Sequence, residues 1–130
     1  MKNSYVSDTM ALVLWIEKRK LSPLVKSIFK NIESGKAKLY IPAIVLAEIG
    51  YLSERKRIEI SLTDIKRVLK NSENIEITSL SADIIYSAFE IGDIPELHDR
   101  LISATARNLR LELITNDKVM ANSKFVKTIW

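Results

Sequence analysis

Four carboxylates stand in segments otherwise spent on apolar residues: Asp8 after Ser-Tyr-Val-Ser, Glu48 within Ile-Val-Leu-Ala-Glu-Ile, Asp99 after Glu-Leu-His, and Asp117 after Leu-Ile-Thr-Asn. The chain has no cysteine and one histidine, which removes thiolate zinc and cysteine nucleophiles together. Like charges ~4 Å apart repel by ~1 kcal/mol in water and ~4 kcal/mol at an effective dielectric near 20, so four gathered acids need a cation. The hard ions Mg²⁺ and Mn²⁺ take oxygen ligands, keep several waters and bind phosphate oxygens. The chemistry expected of such a site is metal-assisted phosphoester hydrolysis, with one ion or two.

Taken singly, three of the acids have ordinary explanations. Asp8 fits a helix N-cap, Asp117 after Asn116 fits a turn or cap, and Asp99 fits an acid near a helix N-terminus, where the macrodipole favours it by ~0.3–1 kcal/mol. Glu48 does not reduce in this way. Its helical neighbours are Ile44, Val45, Tyr51 and Leu52, and an unpartnered charge facing such a stripe would cost several kcal/mol. A buried pair with a distant Lys or Arg is the alternative, less favoured once the other acids converge.

The elements that must hold these residues alternate. Residues 4–7 predict a strand, with Asp8-Thr9 opening a helix, and a second helix follows Ser22-Pro23 and closes at Ser34-Gly35. Residues 38–41 predict the second strand, and Pro42 opens a helix to about Glu54, ended by Arg55-Lys56-Arg57. Ser61 to Asp64 reads as a capping sequence for a helix carrying Ile65, Val68 and Leu69. Ile75 to Ile77 predicts a third strand, Ser81 caps a helix holding Ile84, Ile85, Ala88, Phe89 and Ile91, and Gly92 ends it. Pro95 opens a helix to about Asn108, burying Leu97, Leu101, Ile102, Ala104, Thr105 and Leu109. Residues 111–115 and 125–130 complete five strands, with a short helix opened by Asp117 between them.

Such alternation predicts an α/β fold: a three-layer α/β/α sandwich around a central, mostly parallel five-stranded sheet. All strand C-terminal ends then share one edge, where ligands bind at the reversal of strand order, and all four acids reach it. The 130 residues, 47% apolar with 3 Gly and 3 Pro, fit a single domain over 1–130 without linker or repeat. Met10 to Ile16 is too short to span a membrane and runs into Glu17-Lys18-Arg19-Lys20, so a soluble cytoplasmic protein is expected. With four of 16 acids in one pocket, the remaining 12 face 20 Lys and Arg, a surface of +8 around an acidic hole. That balance suits a polyanion cut at a metal.

The segments SYVSDTMALV, LYIPAIVLAEIGYL and ELHDRLISATARNLRLELITNDKVM, with the final strand, resemble the PIN-domain ribonucleases of the VapC toxin type over essentially the whole chain. The most specific match is His-Asp-x-Leu-Ile-x-Ala-x-Ala followed by Leu-Ile-Thr-x-Asp. The resemblance places the metal-binding, catalytic acids on Asp8, Glu48, Asp99 and Asp117, and implies Thr115 as an orienting hydroxyl. It implies a Mg²⁺- or Mn²⁺-dependent endoribonuclease leaving 5′-phosphate and 3′-hydroxyl ends, an RNA substrate, a small antitoxin as partner, and a homodimer. A housekeeping RNA-processing nuclease of the same family without antitoxin, or a binding module that keeps the fold without catalysis, would share these residues.

Asn116 stands where many such proteins carry a charge. His98 reads as a surface or capping group, and Asp64, Asp83, Asp93 and Glu96 as first-turn acids, Glu96 being the best placed to support Asp99 from one turn before it. Arg100, Arg107, Lys118 and Lys124 are candidates to grip an RNA backbone. Arg55-Lys56-Arg57 and Lys66-Arg67 read as solvated helix ends, and Trp15, Tyr40 and Tyr51 as core. A phosphatase using Asp8 as nucleophile would expect an acid two residues on, where Met10 stands.

Overall fold

The computed structural model describes residues 3–130. Strand β1 (Asn3–Ser7) leads into α1 (Thr9–Ile16) and α2 (Pro23–Glu33), then β2 (Ala37–Pro42) and α3 (Ala43–Glu54). Helix α4 (Leu62–Lys70), β3 (Ile75–Thr78), α5 (Ala82–Glu90) and α6 (Leu97–Leu109) follow, and β4 (Glu112–Ile114), α7 (Lys118–Ala121) and β5 (Thr128–Ile129) complete the chain. The strands form one sheet in the order β3-β2-β1-β4-β5, every neighbouring pair parallel. The α/β prediction holds, and the sheet is wholly rather than mostly parallel.

β1 lies at the centre because both its edges are paired: Tyr5 aligns with Leu39 of β2 on one side and with Glu112 of β4 on the other. From β1 the chain builds outward through β2 and β3, then crosses back to add β4 and β5. The reversal falls between β1 and β4, so their C-terminal ends flank the crevice of the fold. Val6, Leu39, Ile41, Leu113 and Ile114 are fully buried in the sheet, as expected of strands covered on both faces. No helix among the described residues is long and apolar enough to cross a membrane.

The helix starts follow the predicted capping chemistry. Ser22 accepts a hydrogen bond from Val25 N at 3.1 Å ahead of Pro23, and the Ser61 N–H donates to Asp64 Oδ2 at 2.8 Å. Four boundaries differ from the sequence reading. Pro42 does not open α3; its φ of −59° and ψ of 138° are extended, and it ends β2 opposite Thr78. Pro95 lies outside α6, whose N-cap is Glu96. The last strand is Thr128–Ile129 rather than 125–130, because the Asp93 carboxylate captures Ser123 Oγ at 2.8 Å and Lys124 N at 2.9 Å upstream of it. β4 is likewise shorter, with Leu111 and Thr115 outside it.

Burial also departs from expectation on three helices. Leu97 on α6, Ile85 and Phe89 on α5, and Tyr51 on α3 are exposed, and Leu109 is half-buried. A residue in the first turn of a helix can project past the layer it packs on, which is the case for Leu97. Helix α5 rests on α6 through Ile84 and Ala88, so the opposite side of α5 meets no second layer.

Helices α1 and α3 end alike. Lys18 and Lys56 both adopt left-handed backbone with φ of 56°, just past the last helical turn. Glu17, the C-cap of α1, ties the two ends together: its Oε2 accepts from Glu59 N at 2.8 Å and Ile60 N at 3.1 Å. Replacing it leaves two backbone donors without a charged acceptor. Glu17→Ala is expected to lower the unfolding free energy by about 1.5–3 kcal/mol in urea titrations, with an unchanged m-value.

Candidate active site

Each of the four acids is delivered by a separate connection to the crevice between β1 and β4. Asp8 directly follows β1, and its N–H donates to Ile114 O of β4 at 3.1 Å, which locks the two strand ends together. Asp117 follows β4 by three residues. Glu48 lies in the second turn of α3, and Asp99 in the first turn of α6, which packs on α3 and β1. Asp8, Glu48, Asp99 and Asp117 line one cavity of about 410 Å³, with Thr9, Asn116 and apolar residues including Leu14, Leu52 and Ile102. Among the described residues, no Lys, Arg or His lines it. A larger cavity of about 660 Å³ lies at the other end of α1; its only acid, Glu33, accepts a hydrogen bond from Trp15 Nε1 at 2.7 Å, so the larger space holds none of the four acids.

The capping readings of Asp8 and Asp117 are correct and do not compete with membership of the site. Asp8 Oδ1 accepts from Ala11 N at 2.8 Å while Oδ2 accepts from Thr115 Oγ1 at 2.5 Å. Thr115 Oγ1 in turn accepts from Asp117 N at 3.1 Å, and Asp117 Oδ1 caps α7 through Met120 N at 3.0 Å. One hydroxyl therefore joins the two acids at the ends of the central strands. On the opposite wall, Thr9 Oγ1 donates to Glu48 Oε1 at 2.5 Å. The sequence marks Thr9 only as part of a helix start; its contact with Glu48, 39 residues away, comes from the packing of α1 on α3.

Glu96 stays outside the cavity lining and supports Asp99 through the backbone: its Oε1 accepts from Asp99 N at 2.9 Å. His98 is exposed, as its surface reading expects, with Nδ1 3.3 Å from Glu96 Oε2 and 3.8 Å from Glu48 Oε2. Glu48 itself is about a quarter exposed, since Tyr51 in its apolar stripe is turned to solvent. The basic candidates divide. Arg107 lies eight residues beyond Asp99 on α6, about 12 Å along the axis, and is paired with Glu90 at 2.8 Å. Arg100 is held by the Ile94 carbonyl, and Lys124 stands near the Phe125 ring; neither lines the cavity.

The electrostatics record what this gathering costs. Burial pushes the Asp8 carboxyl up to about 6; the Thr115 and Ala11 hydrogen bonds oppose the rise, and the Asp117 and Glu48 charges add to it. Burial, then the charges of Glu96, Asp117, Glu48 and Asp8, push Asp99 to about 6. An all-oxygen donor set with excess negative charge and no cationic side chain in its walls fits a hard divalent cation. Among the described residues no three acidic or imidazole groups stand at ligand spacing around one point. The four acids share the cavity without closing on one point, so an ion placed among them would need water to complete its shell.

A raised carboxyl pKa sets a sign for stability. Between pH ~4 and ~6 the unfolded chain ionises while folded Asp8 and Asp99 keep their protons, so stability falls as pH rises through that window. For Asp8 the shift corresponds to a loss on the order of 3 kcal/mol. In chelator, the midpoint of thermal unfolding is expected to fall from pH 4.5 to pH 7 more steeply in the wild type than in Asp8→Asn. Added Mn²⁺ is expected to raise it at pH 7 more than at pH 5, because protons compete for the same oxygens.

Comparison with known proteins agrees with this topology. Residues 5–126 match the family model of the PIN domain. Solved structures that superimpose on the chain include VapBC2 from Rickettsia felis bound to a DNA fragment from its promoter (20% identity, TM-score 0.72, 98% of each chain covered). A toxin–antitoxin complex from Klebsiella pneumoniae is similar as well (21% identity, TM-score 0.70, 97% of this chain and 96% of that one). So is the sarcin-ricin loop cleaving toxin VapC20 from Mycobacterium tuberculosis (17% identity, TM-score 0.69, 95% and 97%). No curated protein matches the sequence. The structural likenesses, at such identities, speak for the fold; the family model spans nearly the whole chain, and with an acidic crevice at the β1/β4 switch point it shows that the chain belongs to the PIN-domain family.

Proposed function

We propose that the chain is a Mg²⁺- or Mn²⁺-dependent endoribonuclease, the toxin of a toxin–antitoxin pair. The observation that carries this reading is the convergence of Asp8, Glu48, Asp99 and Asp117 on one cavity with no cationic side chain in its lining among the described residues. Membership of a family of nucleases supports hydrolysis of a nucleic acid, and the toxin–antitoxin complexes among the similar folds support a protein partner. The basic balance outside the pocket favours a polyanionic substrate.

The four carboxylates would hold the ion. An ion held there would supply Lewis-acid chemistry for phosphodiester hydrolysis. Thr115 fixes the direction of Asp8 Oδ2 and the backbone of Asp117, and Thr9 fixes Glu48 Oε1. Glu96 holds the Asp99 backbone. Leu14, Leu52 and Ile102 exclude water from one side of the pocket and so strengthen the fields within it. The ends expected after cleavage are a 5′-phosphate and a 3′-hydroxyl.

Asp8→Asn and Asp99→Asn are each expected to reduce RNA cleavage on the order of 10²-fold or more at unchanged fold, with Mn²⁺ affinity measured alongside by calorimetry. Wild-type cleavage by either variant would sink the assignment. Thr115→Val is expected to weaken Mn²⁺ binding by roughly 10- to 100-fold while leaving the ligands in place. Expression in a bacterial host is expected to arrest growth, with Asp8→Asn relieving the arrest; normal growth under the wild-type chain would point to an RNA-processing role instead.

A further inference from the structure

Helices α1 and α3 pack side by side, and both start at the acidic edge. Helix α1 begins at Asp8 and its eight residues span about 12 Å; Arg55 lies seven residues beyond Glu48, about 10 Å along α3. At their far ends both helices release basic runs, Lys18-Arg19-Lys20 and Arg55-Lys56-Arg57, all six residues exposed. These ends meet: Arg19, Lys56 and Arg57 border a common cavity with Glu17, Ile58 and Glu59. Glu17 is already occupied by the backbone N–H groups of Glu59 and Ile60 and by Arg19 at 3.3 Å. With Arg19 paired to Glu17, Lys56 and Arg57 remain, and Glu59 is the one other acid bordering this cavity among the described residues.

The face of α3 that joins the two ends is not polar filler. Glu48, Tyr51, Leu52 and Arg55 fall at helical intervals of three, four and seven, on one stripe. Tyr51, expected in the core, is 55% exposed, and the Arg55 guanidinium stands 4.4 Å from its ring centroid. An exposed aromatic backed by an arginine, with further cations one step on, is the arrangement that stacks a base and grips the phosphates beside it. Tyr51 also borders a groove with Leu46, Ala47 and Leu62, but around Arg19, Lys56 and Arg57 the one apolar side chain is Ile58, and there the charge favours a polyanion over an apolar segment.

We propose that Tyr51, Arg55, Lys56, Arg57 and Arg19 form the track on which a single-stranded RNA flank leaves the acidic pocket, phosphates on the cations and a base against Tyr51. The proposal rests on the reading of that pocket as an RNA-cleaving site. It also gives the track a direction: away from the sheet edge, along the α1/α3 pair.

The test is the affinity of a short fluorescein-labelled oligouridylate, followed by anisotropy across a salt series in chelator so that no cleavage intervenes. Lys56→Asn/Arg57→Gln, with asparagine chosen because it tolerates the left-handed backbone at 56, is expected to weaken binding about tenfold and to reduce the salt slope by about 1.4. Tyr51→Ala is expected to weaken it roughly 5- to 100-fold with the slope unchanged. A charge-matched control on α4, Lys66→Gln/Lys70→Gln, is expected to bind as the wild type; an equal loss there means diffuse attraction and overturns the track. Circular dichroism and unfolding midpoints confirm that each variant is folded. Wild-type affinity in both track variants overturns the proposal alone, leaving the pocket reading intact. If those variants keep RNA affinity but lose binding of an oligoglutamate peptide, the surface belongs to an acidic protein segment and the proposal also fails. A wild-type chain that binds no RNA at any salt overturns the track and the RNA reading together.

Discussion

The buried carboxylate of Asp8 is the joint on which the acidic edge depends. One oxygen starts α1, the other meets Thr115, and the Asp8 backbone N–H closes onto β4. Through Thr115 the same contact reaches the Asp117 backbone and the start of α7. The two central strands thus end in a shared set of hydrogen bonds rather than in independent loops. This holds a carboxyl in a place that resists ionisation, since burial above all, with the Asp117 and Glu48 charges added, keeps it well above the usual range.

The fold supplies the rest by register. Because every strand pair is parallel, all strand C-termini face one way, and the jump from β3 back to β4 leaves a crevice beside β1. Helices α3 and α6 do not come from neighbouring connections, yet their N-terminal halves lie over that crevice and bring Glu48, from the second turn of α3, and Asp99, from the first turn of α6, into it. Four acids separated by as many as 109 residues, from Asp8 to Asp117, become neighbours through topology and not through local sequence. Glu96, from outside the cavity, then fixes Asp99 through its backbone, and Thr9, in the cavity wall, fixes Glu48 through its side chain.

Much of this was legible in the sequence because the signals were chemical. Ser22-Pro23, Ser61 with Asp64, and Ser81 each mark a helix start that satisfies real backbone donors. The acids were legible for the same reason: an Asp after a strand is informative even when it is also a cap. What failed was inference from apolarity alone. Tyr51, Ile85, Phe89 and Leu97 have the periodicity of core residues but are exposed. A helical stripe states which residues share a face; it does not state whether another layer covers that face. Pro42 and Pro95 failed for a different reason, since a fixed φ suits both an extended strand end and a helix start, and ψ decides between them. The short last strand depended on Asp93, an acid far from it in sequence.

The left-handed lysines that end α1 and α3 bear on how this protein trades rigidity for charge. At Lys18 and Lys56 a glycine would adopt φ of 56° without the strain of roughly 1–2 kcal/mol that a side chain carries there. A cation at a helix C-terminus recovers about 0.3–1 kcal/mol of that from the macrodipole. The balance leaves each helix end slightly less stable than it need be, in return for a positive charge held at a fixed distance from the acids. Consensus-style glycine at these two positions would therefore give a hardier molecule with two fewer positive charges at the ends of α1 and α3.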